Sequence, residues 1–261
     1  MTPKELRAVC AAGEFLSPTA GVCPGHVQAN LVVLPEGYAK DFKRFCENNP
    51  KPCPLLEVVG PGSHRTRRLA DRADLLDCIP AYRVWENGEV REQRTDIRAL
   101  YTEEMVFFLL GCSFSFEQAL MAAGIPLRHV DQEKNVAMFD TSIALAASGP
   151  FSGNMVVSMR PVHRTRVAEA CIITNQFPDV HGAPVHVGYP EMIGIADINA
   201  PDYGDAIEIK PDEIPLFWAC GVTPQNVLAN AGLPFAITHA PGFMFVGDLL
   251  NRDLAGPHTT P

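Results

Sequence analysis

The sequence predicts a mixed α/β protein on three observations. Apolar runs of strand length alternate along most of the chain with segments whose apolar residues recur at helical spacing. Two matched segments, around Cys112 and Cys220, each read as a strand leading through a thiol into a helix. Hydrophobic residues make up 47% and charged residues 20% of 261 positions, the balance of a folded chain large enough to bury its own core.

The elements follow in order. Pro3 to Ala12 reads as a short helix, followed by a Pro/Gly loop through Pro24 and Gly25. Ala29 to Leu34 is a strand closed by Pro35-Glu36-Gly37, and Tyr38, Phe42, Phe45 and Cys46 stand at helical spacing up to Glu47. Prolines at 50, 52 and 54 force an extended connection into a strand over Leu55 to Val59. Asn87-Gly88, between Tyr82–Trp85 and Glu89–Glu92, marks a type I′ hairpin because both residues tolerate positive φ. Met105 to Leu110 is a buried strand running into Gly111-Cys112. Met155 to Met159 reads as a strand ended by Arg160-Pro161, Arg164 to Phe177 as a helix burying Val167, Ala170, Cys171 and Thr174, and Val185 to Val187 as a short strand. Gly256 to Pro261 has the composition of a frayed tail.

Charge and cysteine usage exclude several classes. A formal net charge of −9 repels phosphate backbones, and the one basic cluster, His64 to Arg68, is followed at once by Asp71 and Asp74, so it reads as a solvated face. Nucleic acid is not an expected partner. No apolar run approaches the roughly 18 residues a membrane span needs, and no signal-peptide pattern opens the chain. Eight cysteines without CxxC spacing are expected as free thiols, with no metal, no cofactor and a cytoplasmic location.

The matched segments are the most informative feature. At an offset of 108 positions Cys112 aligns with Cys220, Ser115 with Thr223, Glu117 with Gln225, Leu120 with Leu228, Ala123 with Ala231, Gly124 with Gly232 and Pro126 with Pro234. Ser115 and Thr223 stand where N-caps belong, Pro224 suits the first helical position, Gln118 completes a capping-box spacing, and each Gly followed by Pro stops a helix. A thiol in such a turn faces free N–H groups and the positive helix end, a setting that lowers a thiol pKa and binds carboxylates. A buried structural cysteine explains either copy alone. Two copies with matched signals favour a functional site.

GCSFSFE at 111–117, MVVSMRP at 155–161, ACGVTPQ at 219–225 and ITHAPG at 237–242 resemble the D-glutamate cyclase family, as do VQANLVVLP, NPKPCPLLEV and HGAPVHVG at 181–188. The resemblance runs from about Gly25 to Asp248. Where the family commonly carries HAPGHMF, this chain has Phe243 in place of the second His. The resemblance implies a larger three-layer α/β domain, expected over 1–127 and 190–261, with a smaller α+β domain over 128–189. It also implies a hydro-lyase that interconverts D-glutamate with 5-oxo-D-proline and water.

The residues suit such work. Cys112 and Cys220 offer nucleophiles or acid/base groups, and Glu117 and His239 offer proton transfer, the latter near neutral pH. Ser113, Ser115, Thr223 and Gln225 offer hydrogen bonds at the two helix ends, and Arg160 offers a bidentate carboxylate clamp. His186 reads as structural. Two thiols also suit a cofactor-independent racemase or epimerase, and a non-catalytic binder of small carboxylates is a third reading. The expected partner is a small carboxylate or amino acid, and a homo-oligomer is left open.

Overall fold

The computed structural model describes residues 1–255, and the expected frayed tail from Gly256 lies outside them. In chain order the elements are α1 (Pro3–Ala11), β1 (His26–Pro35), α2 (Glu36–Asn48), β2 (Leu55–Val59), β3 (Tyr82–Glu86), β4 (Glu89–Arg94), β5 (Met105–Gly111), α3 (Phe114–Ala122), α4 (Arg128–Asp131), β6 (Ala137–Ala144), β7 (Asn154–His163), α5 (Val167–Asn175), β8 (His186–Val187), β9 (Glu213–Ala219), α6 (Thr223–Ala231), β10 (Ala236–His239) and β11 (Phe245–Leu250). None of the described helices is long and apolar enough to cross a membrane.

Local chemistry accounts for most of these. Thr2 and Glu5 form a reciprocal capping box at the start of α1. Asn87 and Gly88 take φ of 53° and 82°, as a type I′ turn requires. That hairpin tip docks on the end of α6: Asn87 N–H donates to Leu233 O at 2.7 Å, and a Cβ on Gly88 would meet Ala229 O at 2.4 Å.

The strands form two sheets, and every pairing is antiparallel. The first has the order β2-β5-β1-β10-β3-β4, with β11 also pairing β1. The second has the order β6-β7-β9-β8, so its strands fall between residues 137 and 219. Here β7 corrects an expectation, because it does not end at Arg160-Pro161 but runs on to His163. Pro161 lies opposite Pro215 of β9, while pairing with β6 has already stopped at Met159, so no neighbour needs the missing N–H.

The expected caps also differ. Neither Ser115 nor Thr223 is an N-cap, and no side chain caps α3 or α6. Instead the N–H groups of Ser115 and Thr223 bond back to the carbonyls of Cys112 (3.3 Å) and Cys220 (3.1 Å). Each helix therefore starts tight against its thiol residue, earlier than the cap signals imply. Gly124 and Gly232 follow the helix ends at φ of 74° and 57°, as expected of left-handed stops.

One core joins the sheets. Phe116 and Leu120 of α3 are buried in a cluster holding Leu31 and Leu109 from the first sheet and Val162, Leu216 and Trp218 from the second. Val227 and Leu228 of α6 pack with Val32, Leu34 and Phe108 of the first sheet. The helix after a first-sheet strand thus reaches the second sheet, and the helix after a second-sheet strand reaches the first. That exchange draws the two thiol turns together.

Asn30 of β1 stands between those turns. Its Nδ2 donates to Gly111 O at 2.9 Å, and a Cβ built on Gly221 would come within 2.4 Å of the same nitrogen. Gly221→Ala is expected to destabilise the fold by about 1–3 kcal/mol through overpacking. In Asn30→Ala the space is vacated, so the double variant should lose less than the sum of the single losses. Urea denaturation of the four proteins measures this, and strict additivity would show that the two turns are not spaced by Asn30.

Candidate active site

At the centre is a buried ion pair between the sheets. Arg160 of β7 is 1% exposed, and its guanidinium lies 5.3 Å from the Phe116 ring and 5.4 Å from the Trp218 ring, two rings that stack on each other at 5.6 Å. Its Nε donates to Glu117 Oε1 at 3.0 Å, and Nη2 donates to the same oxygen. Nη1 donates to Ser158 Oγ at 2.9 Å and Nη2 also to Ser113 Oγ at 3.2 Å. On the other side of the carboxylate, His129 Nε2 lies 3.4 Å from Glu117 Oε1. Burial by itself would raise the Glu117 carboxyl, but Arg160 and His129 outweigh it and hold the group below its ordinary range. The expected free clamp at the end of a strand is thus corrected: Arg160 lies within β7, and its fork is occupied by the protein's own carboxylate.

Cys112 and Cys220 flank this pair, each 8% exposed. They are near enough that ionisation of Cys220 would raise Cys112, and both feel Glu117 and Arg160. The Phe114 N–H favours a Cys112 thiolate, and the Val222 and Gly221 N–H groups favour one at Cys220. Burial nevertheless wins at both sites. It pushes Cys112 up to about 12 and Cys220 above its usual value. The expected lowering of the thiol pKa is therefore overturned, because desolvation in a nearly closed site exceeds the help of the helix ends. Cys220 Sγ also touches Met138 Sδ at 3.4 Å.

The remaining expected residues divide. Gln225, buried in the first turn of α6, lies with Nε2 3.4 Å from Nε2 of His239. His239 Nδ1 accepts from the Leu31 N–H at 3.1 Å across the β1–β10 pairing. Burial lowers its pKa to about 4, with Arg83 adding to the effect, so the expected near-neutral titration is not available. The Thr223 hydroxyl accepts from Val156 N–H (3.1 Å) and donates to Val156 O (3.3 Å), which fastens α6 to β7 and commits its hydrogen. Ser115 turns to the opposite face of α3. It lines a cavity of ≈ 330 Å³ with Gln118, Ala119, Ala122 and Asn251, away from Arg160.

Four further residues near the site were not among the expected ones. Asn30 and Ser158 are buried polar residues flanked by apolar ones within their strands, which is the mark that would have found them. His129 lies beyond the first repeat segment in a four-residue helix and has no sequence mark. His181 opens HGAPVHVG, is fully buried, and has φ of 82°, a left-handed backbone uncommon outside glycine. Its Nδ1 lies 2.6 Å from Lys51 O, and burial first, then Arg160, depress its pKa to about 4.

Fold and site define a two-sheet α/β protein whose sheets meet at a buried guanidinium–carboxylate pair flanked by two protonated thiols. The D-glutamate cyclase family matches over residues 106–248. A protein of Bordetella petrii named "Putative hydro-lyase" is 54% identical over 97% of this chain and 96% of its own length. Others bearing that name, from Bradyrhizobium sp. (strain ORS 278) and Bordetella pertussis, are 56% and 52% identical over 91% and 96% of this chain and 87% and 91% of theirs. The chain belongs to the D-glutamate cyclase family.

The two buried imidazoles set an acid limit on stability. His181 and His239 are held near 4 in the fold and return to about 6.5 on unfolding. Between those values the unfolded chain binds more protons, so their contribution is fully present above 6.5 and is lost as pH falls towards 4. Each should cost about 3 kcal/mol by pH 4. Urea midpoints at pH 7, 5.5 and 4.5 are expected to fall, and to fall less steeply in His239→Gln. An equal slope in the variant would count against a buried neutral His239.

Proposed function

We propose that this protein is a hydro-lyase of the D-glutamate cyclase type, closing D-glutamate to 5-oxo-D-proline and water or acting on a closely related small carboxylate. The observation that carries the reading is the pair of buried, protonated thiols beside the Arg160–Glu117 pair. Ring closure forms a C–N bond at the carbon of the γ-carboxyl group and breaks a C–O bond there. Two protons leave the substrate nitrogen and two reach the departing oxygen, so the reaction needs a relay with no net gain or loss.

Thiols held protonated by burial suit the donating half of that relay better than the role of nucleophile. We assign Cys112 and Cys220 to proton transfer, with Glu117 accepting protons under the control of Arg160 and His129. The backbone N–H groups at Phe114, Gly221 and Val222 favour negative charge in this region and would receive a carboxylate or the developing oxyanion. Gln225 and Ser113 would add side-chain donors. Arg160 then acts chiefly through Glu117, and Thr223 through the placement of α6. The two strand–thiol–helix units are on this reading a duplicated device, one from each sheet. The reading gives no task to a metal or organic cofactor.

The mutual influence of the two thiols also favours a second reading, a two-thiol racemase that removes and returns a proton at one carbon. Incubating the protein with D-glutamate, L-glutamate and 5-oxo-D-proline, followed by chiral chromatography, separates the two. A cyclase yields 5-oxo-D-proline from D-glutamate alone, whereas a racemase mixes the glutamate enantiomers. Cys112→Ser and Cys220→Ser are each expected to cut turnover at least about a hundredfold while ligand affinity stays within a few-fold. Wild-type rates in both variants would remove the thiols from the mechanism. Affinity without turnover in the unaltered protein would point to a binding protein.

A further inference from the structure

His181 makes no contribution to the chemistry above, yet its environment is that of a ligand-binding atom. Its ring is fully buried. Lys51 O can only accept, so the 2.6 Å contact puts the ring hydrogen on Nδ1 and leaves a lone pair on Nε2. That Nε2 has no hydrogen-bond partner among the described residues. A buried acceptor left without a donor is costly, and the backbone at His181 adds strain at φ 82°. Packing alone does not call for the orphaned nitrogen, which an apolar side chain would not have.

The position of the residue links it to the thiol site. The turn before it presses on the last residue of β5: a Cβ on Gly111 would meet Asp179 O at 2.4 Å and Val180 Cα at 3.1 Å. His181 thus follows directly on a segment packed against the residue before Cys112. The Arg160 charge also reaches the ring and disfavours its protonation. A neutral imidazole with a forced tautomer, within reach of the Arg160 charge and following a segment packed on Gly111, is a fixed acceptor for one N–H or O–H.

We propose that His181 Nε2 is a further binding atom of the thiol site, accepting a hydrogen bond from an N–H or O–H group carried by the bound carboxylic acid. The inference rests on the proposed reading of the site and narrows its ligand. The acid must carry a donor, as D-glutamate, 5-oxo-D-proline and a 2-hydroxy acid do and glutarate does not. His181 is neutral and so binds the donor without taking its proton.

Matched pairs of acids test this in the intact protein. D-glutamate and D-2-hydroxyglutarate are compared with glutarate by calorimetry, in the wild type and in His181→Asn. Asparagine tolerates the left-handed backbone, and its amide can keep the bond to Lys51 O while lacking Nε2. The wild type should bind at least one donor-bearing acid about tenfold more tightly than glutarate, and that preference should vanish in His181→Asn while glutarate affinity holds. Side-chain nitrogen spectra of histidine-labelled protein should show the Nε2 signal of His181 shifting on addition of the donor-bearing acid, a change that a purely structural role would not produce. Equal loss for all acids, a preference that survives His181→Asn, or no preference in the wild type would overturn the proposal. His181→Gln serves as a second variant if His181→Asn fails to fold. D-glutamate turnover is followed separately: its absence with the donor preference intact sinks the cyclase reading alone.

Discussion

The structure depends on burying one guanidinium and one carboxylate together at the junction of two sheets. Arg160 comes from the second sheet and Glu117 from the helix that follows a first-sheet strand. Either charge left alone in that environment would be strongly unfavourable, so the pair holds only while both sheets keep their places. Ser113, Ser158 and His129 occupy further hydrogen-bonding positions, and the stacked Phe116 and Trp218 rings both approach the guanidinium. The cation–π contacts replace part of the hydration that Arg160 gives up.

The same burial decides the state of the thiols. Backbone N–H groups at the two helix starts favour thiolates, and on an exposed surface they would lower both pKa values. In this site desolvation is the larger effect, and the Glu117 carboxylate adds to it. The thiols therefore remain acids, and His181 and His239 remain neutral for the same reason. The site therefore keeps two thiols and two imidazoles uncharged around one ion pair.

Much of the local structure was legible in the sequence. The strand over Leu55–Val59, the Asn87-Gly88 hairpin, the buried run into Cys112 and the glycine stops after α3 and α6 rest on interactions within a few residues. Other expectations failed where a distant partner changed the local rule. Pro161 continues a strand because β6 has already ended beside it. Arg160 was visible as a candidate, but its occupied fork was not, since Glu117 stands 43 positions away.

The sequence by itself determined which segments become strands and helices around each thiol, and its motifs marked the family, because periodicity, turn residues and motif identity are properties of neighbouring positions. Only the tertiary structure decided that the two thiol turns, one from each sheet, meet across Asn30, that Arg160 is paired within the protein, and that a nitrogen of His181 has no partner among the described residues. The reason is physical. Burial sets the cost of charge and the value of a hydrogen bond, and burial depends on which distant segments exclude water from a site.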